Sequence, residues 1–115
     1  MNEKKILIII PTFNEGLIIG EVVSQINKIF KSADILVVDA FSSDETYSEV
    51  KKNGVNIIQI DKFYGIGLAI ETGILFAYEN DYDFLVRIDG DGQHSPSDVK
   101  DLLDFAINSQ CELTI

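Results

Sequence analysis

An α/β domain with a mostly parallel sheet and helices on both faces is the fold class that three observations predict. Short apolar runs alternate with stretches whose apolar residues recur at helical spacing, almost from end to end. The first run, Ile6-Leu7-Ile8-Ile9-Ile10, is dominated by β-branched residues, as in a central strand covered on both faces. Each apolar run then exits into acids or a polar cluster. Right-handed crossovers turn such an order into a parallel sheet.

Taken in order, the first strand is ended by Pro11. Ile18, Val22, Ile26 and Ile29-Phe30 mark a helix over 16–30, with Asn14 as its expected N-cap and Glu15 adding charge to its first turn. Ile35-Leu36-Val37-Val38 is a second strand closing on Asp39. A short helix opens at Ser42-Ser43-Asp44-Glu45 and stops at Gly54. The alternation in 55–60 predicts an edge or half-covered strand. A helix over 65–78 follows, with Ile66, Ile70, Ile74, Leu75 and Tyr78 expected on its packed side. The fourth strand spans 83–88. Ser95-Pro96-Ser97-Asp98 then combines an N-cap, a first-position proline and a capping-box acid, and starts a helix to about Ser109. Residues 112–115 read as a fifth strand barely begun, so the chain is expected to be part of a longer domain.

Composition narrows the function. With 9 basic and 19 acidic residues the formal charge is 9 − 19 = −10, which argues against nucleic acid and against docking on anionic membranes. A phosphorylated ligand would have to come with a divalent cation. The single cysteine, Cys111, excludes an internal disulfide and a cysteine-based zinc site. No apolar run is long enough to span a bilayer, and a cytoplasmic address is the default. Homodimerisation is left open.

In an open parallel sheet, ligands bind beyond the carboxyl ends of the strands. Here those ends carry Thr12-Phe13-Asn14-Glu15, Asp39, Asp61-Lys62 and Asp89-Gly90-Asp91. Asp89 and Asp91 are hard oxygen ligands suited to Mg²⁺ or Mn²⁺, and Gln93 could add an amide oxygen. An EF-hand is excluded, because its sixth and twelfth positions are His94 and Lys100. Each other candidate has an ordinary structural alternative. Asp39 reads as a turn aspartate or as an acceptor for a base N–H or ribose hydroxyl. Phe13 reads as core or as a stacking surface for a base. Gly65-Ile66-Gly67 could bring backbone close to a phosphate, yet the third glycine of a dinucleotide fingerprint is missing. Lys62 could neutralise phosphate, and His94 reads as a capping or packing residue.

The ordered set Pro11-Thr12-Phe13-Asn14-Glu15, Val38-Asp39, Ser43-Asp44-Glu45-Thr46, Gly65-Ile66-Gly67-Leu68-Ala69 and Asp89-Gly90-Asp91-Gly92-Gln93-His94 resembles the family 2 glycosyltransferases. These have the Rossmann-like GT-A fold that binds nucleotide sugars. The last motif is closest to the dolichol-phosphate mannosyltransferase and polyprenyl-phosphate glycosyltransferase branch. The resemblance implies an inverting enzyme whose donor is a GDP- or UDP-sugar and whose acceptor is a polyprenyl phosphate or a glycan. It implies that Pro11, Thr12, Phe13, Glu15, Asp39 and Gly65 line the nucleotide-sugar pocket, with Asp39 at the base. Asp89 and Asp91 would be its D-x-D pair, holding Mg²⁺ or Mn²⁺ on the diphosphate with help from Gln93.

Three positions depart from the family. Ala40-Phe41 replaces a second acid and a glycine, Phe63 replaces a polar or basic residue, and the family's catalytic base lies downstream of Ile115. No catalytic residue is therefore assigned within this chain. The alternative reading is a nucleotide-binding α/β module without catalysis. A receiver-type domain, with Asp61 as phospho-acceptor, is a weaker third.

Overall fold

The structure, a computed structural model, describes residues 4–61, 65–92 and 95–109. The element order is β1 (Ile6–Thr12), α1 (Ile19–Ile29), β2 (Asp34–Asp39), α2 (Thr46–Lys52), β3 (Asn56–Gln59), α3 (Gly65–Glu79), β4 (Phe84–Arg87) and α4 (Pro96–Ser109). The four strands form one parallel sheet in the order β3-β2-β1-β4. The expected fold class and each expected element up to Ser109 are present. The expected strand at 112–115, together with Lys62, Phe63, Gln93, His94 and Cys111, lies outside the described residues.

β1 is central because its side chains are apolar on both faces. Ile8 and Ile10 pack with Val22, Val23 and Ile26 of α1, Val50 of α2, and Val99 and Leu103 of α4. Leu7 and Ile9 pack on the other face with Leu36, Val38, Ala69 and Ala77. Period-two alternation of the strand thus feeds two cores at once. Each fully buried side chain of this size contributes about 1.5–3 kcal/mol.

Three sequence expectations are corrected by packing. Pro11 does not end β1, which runs on to Thr12 with Pro11 opposite Val38. The Ile9 carbonyl accepts from Ile88 of the β4 side, and the Thr12 carbonyl accepts from Ala40 of the β2 side. Alternation therefore turns the N–H-less side of Pro11 toward β4, whose last partner is Ile9 opposite Arg87. No ladder bond is lost there.

Asn14 is not the cap of α1. That helix starts at Ile19, preceded by a turn in which the Glu15 carbonyl accepts from the Ile18 and Ile19 N–H groups. Asn14 instead sits at φ +52 and accepts a hydrogen bond from the Ser43 N–H at 3.0 Å. Asn is one of the few residues that tolerate this backbone region cheaply.

α3 packs mainly through Ala69, Gly73 and Ala77, with Phe76 half-buried against the same core. Of the expected face, Ile70 is half-buried and Ile74, Leu75 and Tyr78 turn outward. Ala69 and Ala77 are buried, and Gly73 lies so close to β1 that a Cβ would meet Ile9 at 2.7 Å. Ile74, Leu75 and Tyr78 are 52, 57 and 82% exposed. The helix is apolar nearly all round, so periodicity alone could not choose its inner face. Close approach to the sheet chose it.

Candidate functional site

The loops after β1 and β2 are joined by hydrogen bonds that their polar residues make necessary. Asn14 N–H donates to Ser42 Oγ at 2.8 Å, Glu15 N–H to Thr46 Oγ1 at 2.9 Å, and Gly16 N–H to Asp44 Oδ2 at 3.0 Å. Thr46 also donates to Asp44 Oδ1 through its N–H and its hydroxyl. Burial pushes the Asp44 carboxyl up, but these bonds from Thr46 and Gly16 outweigh it and hold the group below its ordinary value. These bonds brace the loop after β1, whose Phe13 and Glu15 line a cavity of roughly 470 Å³ beyond the carboxyl ends of the strands.

That cavity brings together Pro11, Thr12, Phe13, Glu15, Gly65, Asp89 and Asp91, all expected from sequence. It adds Val38, Ala40, Ala69 and Gly90, which sequence reasoning did not select. Phe13 is 49% exposed, so it belongs to the cavity and not to a core. Gly90 lets the Asp89–Asp91 turn lie against β1, since a Cβ there would stand 2.8 Å from Thr12 Cγ2. Gly65 opens α3 at the cavity's edge, where backbone N–H groups are unsatisfied by the helix itself.

Asp39 is placed elsewhere. Strand alternation puts Val38 and Ala40 toward the cavity and Asp39 on the opposite face, fully buried. Its Oδ1 accepts from the hydroxyls of Thr12, at 2.7 Å, and Ser42. Its Oδ2 accepts from the Ser42 N–H at 2.9 Å and Gln59 Nε2 at 3.3 Å. These bonds tie the ends of β1, β2 and β3 together beneath the cavity. Asp39→Asn should lower stability by about 1–3 kcal/mol without any ligand, because donors then face a donor in a buried place. Urea unfolding of the unliganded protein checks this. Asp61 follows the end of β3 as expected, but lines a separate cleft with Phe41, Gln59 and Ile60.

Glu15, Asp89 and Asp91 all line the cavity. The Glu15 carboxyl is raised above its ordinary value of 4.5, first by burial and then by Asp91, Asp44 and Asp89. Asp89 also accepts from Arg87 Nε at 2.9 Å. Arg87 escaped the sequence reading because it sat inside an apolar run. The available signal was its spacing, two residues before Asp89 on the same side of an extended chain.

The sign of the Glu15 shift can be tested. A raised folded value means the folded state binds more protons than the unfolded one, so stability falls as pH rises through that window. Glu15→Gln should therefore raise the melting temperature at pH 7, with the gain shrinking below the ordinary carboxylate range. Scanning calorimetry at pH 4 and pH 7 measures it.

Among the described residues, no three His, Cys, Asp or Glu side chains are placed to hold a metal by themselves. Two carboxylates at one pole remain a fitting donor set for Mg²⁺ or Mn²⁺, which take one or two carboxylates and complete their shell with phosphate oxygens and water. Gln93 lies outside the described residues. Among those residues, no helix is long and apolar enough to cross a membrane.

A doubly wound parallel sheet with a cavity over its carboxyl edge, acidic at one pole and apolar along its wall, defines a ligand-binding α/β domain of the nucleotide-binding type. The model of the family "Glycosyl transferase family 2" matches residues 7–115, and the chain belongs to that family. A UDP-N-acetylglucosamine–dolichyl-phosphate N-acetylglucosaminyltransferase of Methanococcus voltae is 32% identical, covering 100% of this chain and 52% of the relative. The polyprenol monophosphomannose synthase of Mycolicibacterium smegmatis is 30% identical, covering 97% and 44%. In structure, a mannosyltransferase from Pyrobaculum calidifontis in complex with GDP-Man and Mn²⁺ superposes with a TM-score of 0.72 at 20% identity, over 91% of this chain and 33% of that one. The fold is thus GT-A. The chain spans about half the length, or less, of the curated relatives it matches.

Proposed function

We propose that this chain forms the donor-binding part of a metal-dependent, inverting glycosyltransferase that moves a sugar from a nucleotide-diphosphate sugar to an acceptor. One observation carries the reading. The cavity is lined by Glu15, Asp89 and Asp91 but by no lysine or arginine among the described residues. Carboxylates so placed favour a diphosphate that arrives with a cation between them. The family supplies the chemistry, and the named relatives and the Mn²⁺ complex supply the precedent.

In this reading Asp89 and Asp91 hold the cation, and Arg87 fixes the orientation of Asp89. The start of α3 at Gly65 offers backbone N–H groups to phosphate oxygen. Phe13 offers its exposed ring to the nucleobase, a contact worth about 1–3 kcal/mol. Transfer forms a bond from an acceptor oxygen to the anomeric carbon as the bond from that carbon to the diphosphate breaks. The nucleoside diphosphate departs with the electron pair as growing negative charge. A bound Mg²⁺ or Mn²⁺ supplies neutralisation of that charge. Polyprenyl phosphates are the acceptor class that the names of the relatives favour. A cytoplasmic setting belongs to the same proposal.

A second reading, a nucleotide-binding module without transfer, has its own observation. The three acids lining the cavity interact with one another, and none stands apart to take a proton from a hydroxyl acceptor, which a phosphate acceptor would not require.

Thermal-shift measurements with GDP, UDP and their sugars, with and without Mn²⁺, test the proposal. A nucleotide at 100 times its Kd stabilises the folded state by about 2.7 kcal/mol. A rise of several degrees is expected with Mn²⁺ and little without it. An equal rise without metal would sink the metal-dependent reading. Binding without transfer to a polyprenyl phosphate would favour the module.

A further inference from the structure

We propose that Phe41 is an aromatic platform for the nucleobase and a determinant of which base the site accepts. The inference rests on the donor-site reading above and extends it toward β3. The sheet order places the acidic pole after β4, at one edge, so a diphosphate held there directs the rest of the ligand across the exits of β1 and β2. Ala40, at the exit of β2, lines the cavity, and Phe41 is the next residue. Beyond it, Phe41 lines a second cleft with Gln59 and Ile60 of the β3 side.

Phe41 is also costly where it stands. Its φ is +54, a region that bulky side chains rarely enter, and its ring is 63% exposed. It belongs to neither buried core, so little packing offsets that strain. Its neighbours are anchored on both sides: Ala40 N–H is bonded to the Thr12 carbonyl, and Ser42 is held by Asp39 on one side and Asn14 on the other. At this φ, Gly or Asn would sit more easily than Phe. A strained residue held by its surroundings is a reasonable pointer to function. A planar, exposed ring one residue beyond Ala40, in the cleft next to the cavity, has an evident use, stacking.

The experiment compares wild type with Phe41→Gly, Phe41→Leu and Phe41→Tyr by thermal shift and calorimetry, using GDP, UDP and inorganic pyrophosphate, each with Mn²⁺. Relief of strain should leave the unliganded Phe41→Gly protein as stable as wild type or more so. Its affinity for GDP or UDP should nevertheless fall about ten-fold, the scale of one lost stacking contact. Pyrophosphate, which has no base, should bind unchanged. Phe41→Tyr should restore nucleotide affinity and Phe41→Leu should not. Unchanged nucleotide affinity in Phe41→Gly would overturn the proposal, as would equal losses for nucleotide and pyrophosphate. Should wild type bind none of the three probes, the donor-site reading fails and this inference with it.

Discussion

Replacing Asp91 with alanine is expected to lower Mn²⁺-dependent nucleotide affinity by at least about 100-fold, since even partners one shell away from a metal cost 10–100-fold when lost. The effect on the unliganded protein should be much smaller. Asp91 is exposed at the turn, and its charge is one of those that raise the Glu15 carboxyl. An exposed turn carboxylate contributes about 1 kcal/mol or less to stability. Titration calorimetry with GDP and UDP, alongside apo unfolding, separates the two effects. Metal-dependent binding that survives in Asp91→Ala would remove this residue from the cation site. A large apo destabilisation would show that its role is structural.

The second large effect concerns α3. A Cβ at residue 73 would lie 2.7 Å from both Cδ1 and Cγ2 of Ile9. Ile9 is in the central strand, buried on both sides, and its branched side chain is stiff about χ1. Gly73→Ala gains about 1 kcal/mol of helix propensity. Overpacking costs about 1–3 kcal/mol and should exceed that gain. Gly73→Val adds two further methyl groups and loses the propensity advantage. We expect it to cost about 3 kcal/mol or more, with a fall in melting temperature of about 10 °C. Since Gly65 and Ala69 of the same helix line the cavity, nucleotide affinity should fall with stability. Ile74→Gln, one position on and facing outward, should stay within about 0.5 kcal/mol of wild type. Denaturant unfolding of the three variants decides the matter.

Much of the site was legible because it sits where strands end, and strand ends are easy to read. The runs Ile6–Ile10 and Phe84–Ile88 announce their own exits, so local pattern alone groups Thr12, Phe13, Glu15, Asp89 and Asp91. Asp39 was grouped with them for the same reason, yet it lies one residue out of phase with Val38 and Ala40. Alternation along an extended chain was visible in the sequence and would have moved it to the far face. Arg87 was lost in an otherwise apolar run. Its partner Asp89 shows how a single charge in a strand can serve the loop that follows.

The sequence alone determined the order of elements, the parallel sheet, the central place of β1 and the acidic strand exits. All of these depend on local pattern and on the short range of chain connections. Tertiary structure decided which side of α3 faces inward, how far β1 runs past Pro11, and that Asn14 braces a loop and caps no helix. Each of those turns on how closely a neighbouring element approaches. The distance from Gly73 to Ile9, the end of β4 at Arg87 and the reach of Ser43 to Asn14 are properties of two segments together, and neither segment carries them by itself.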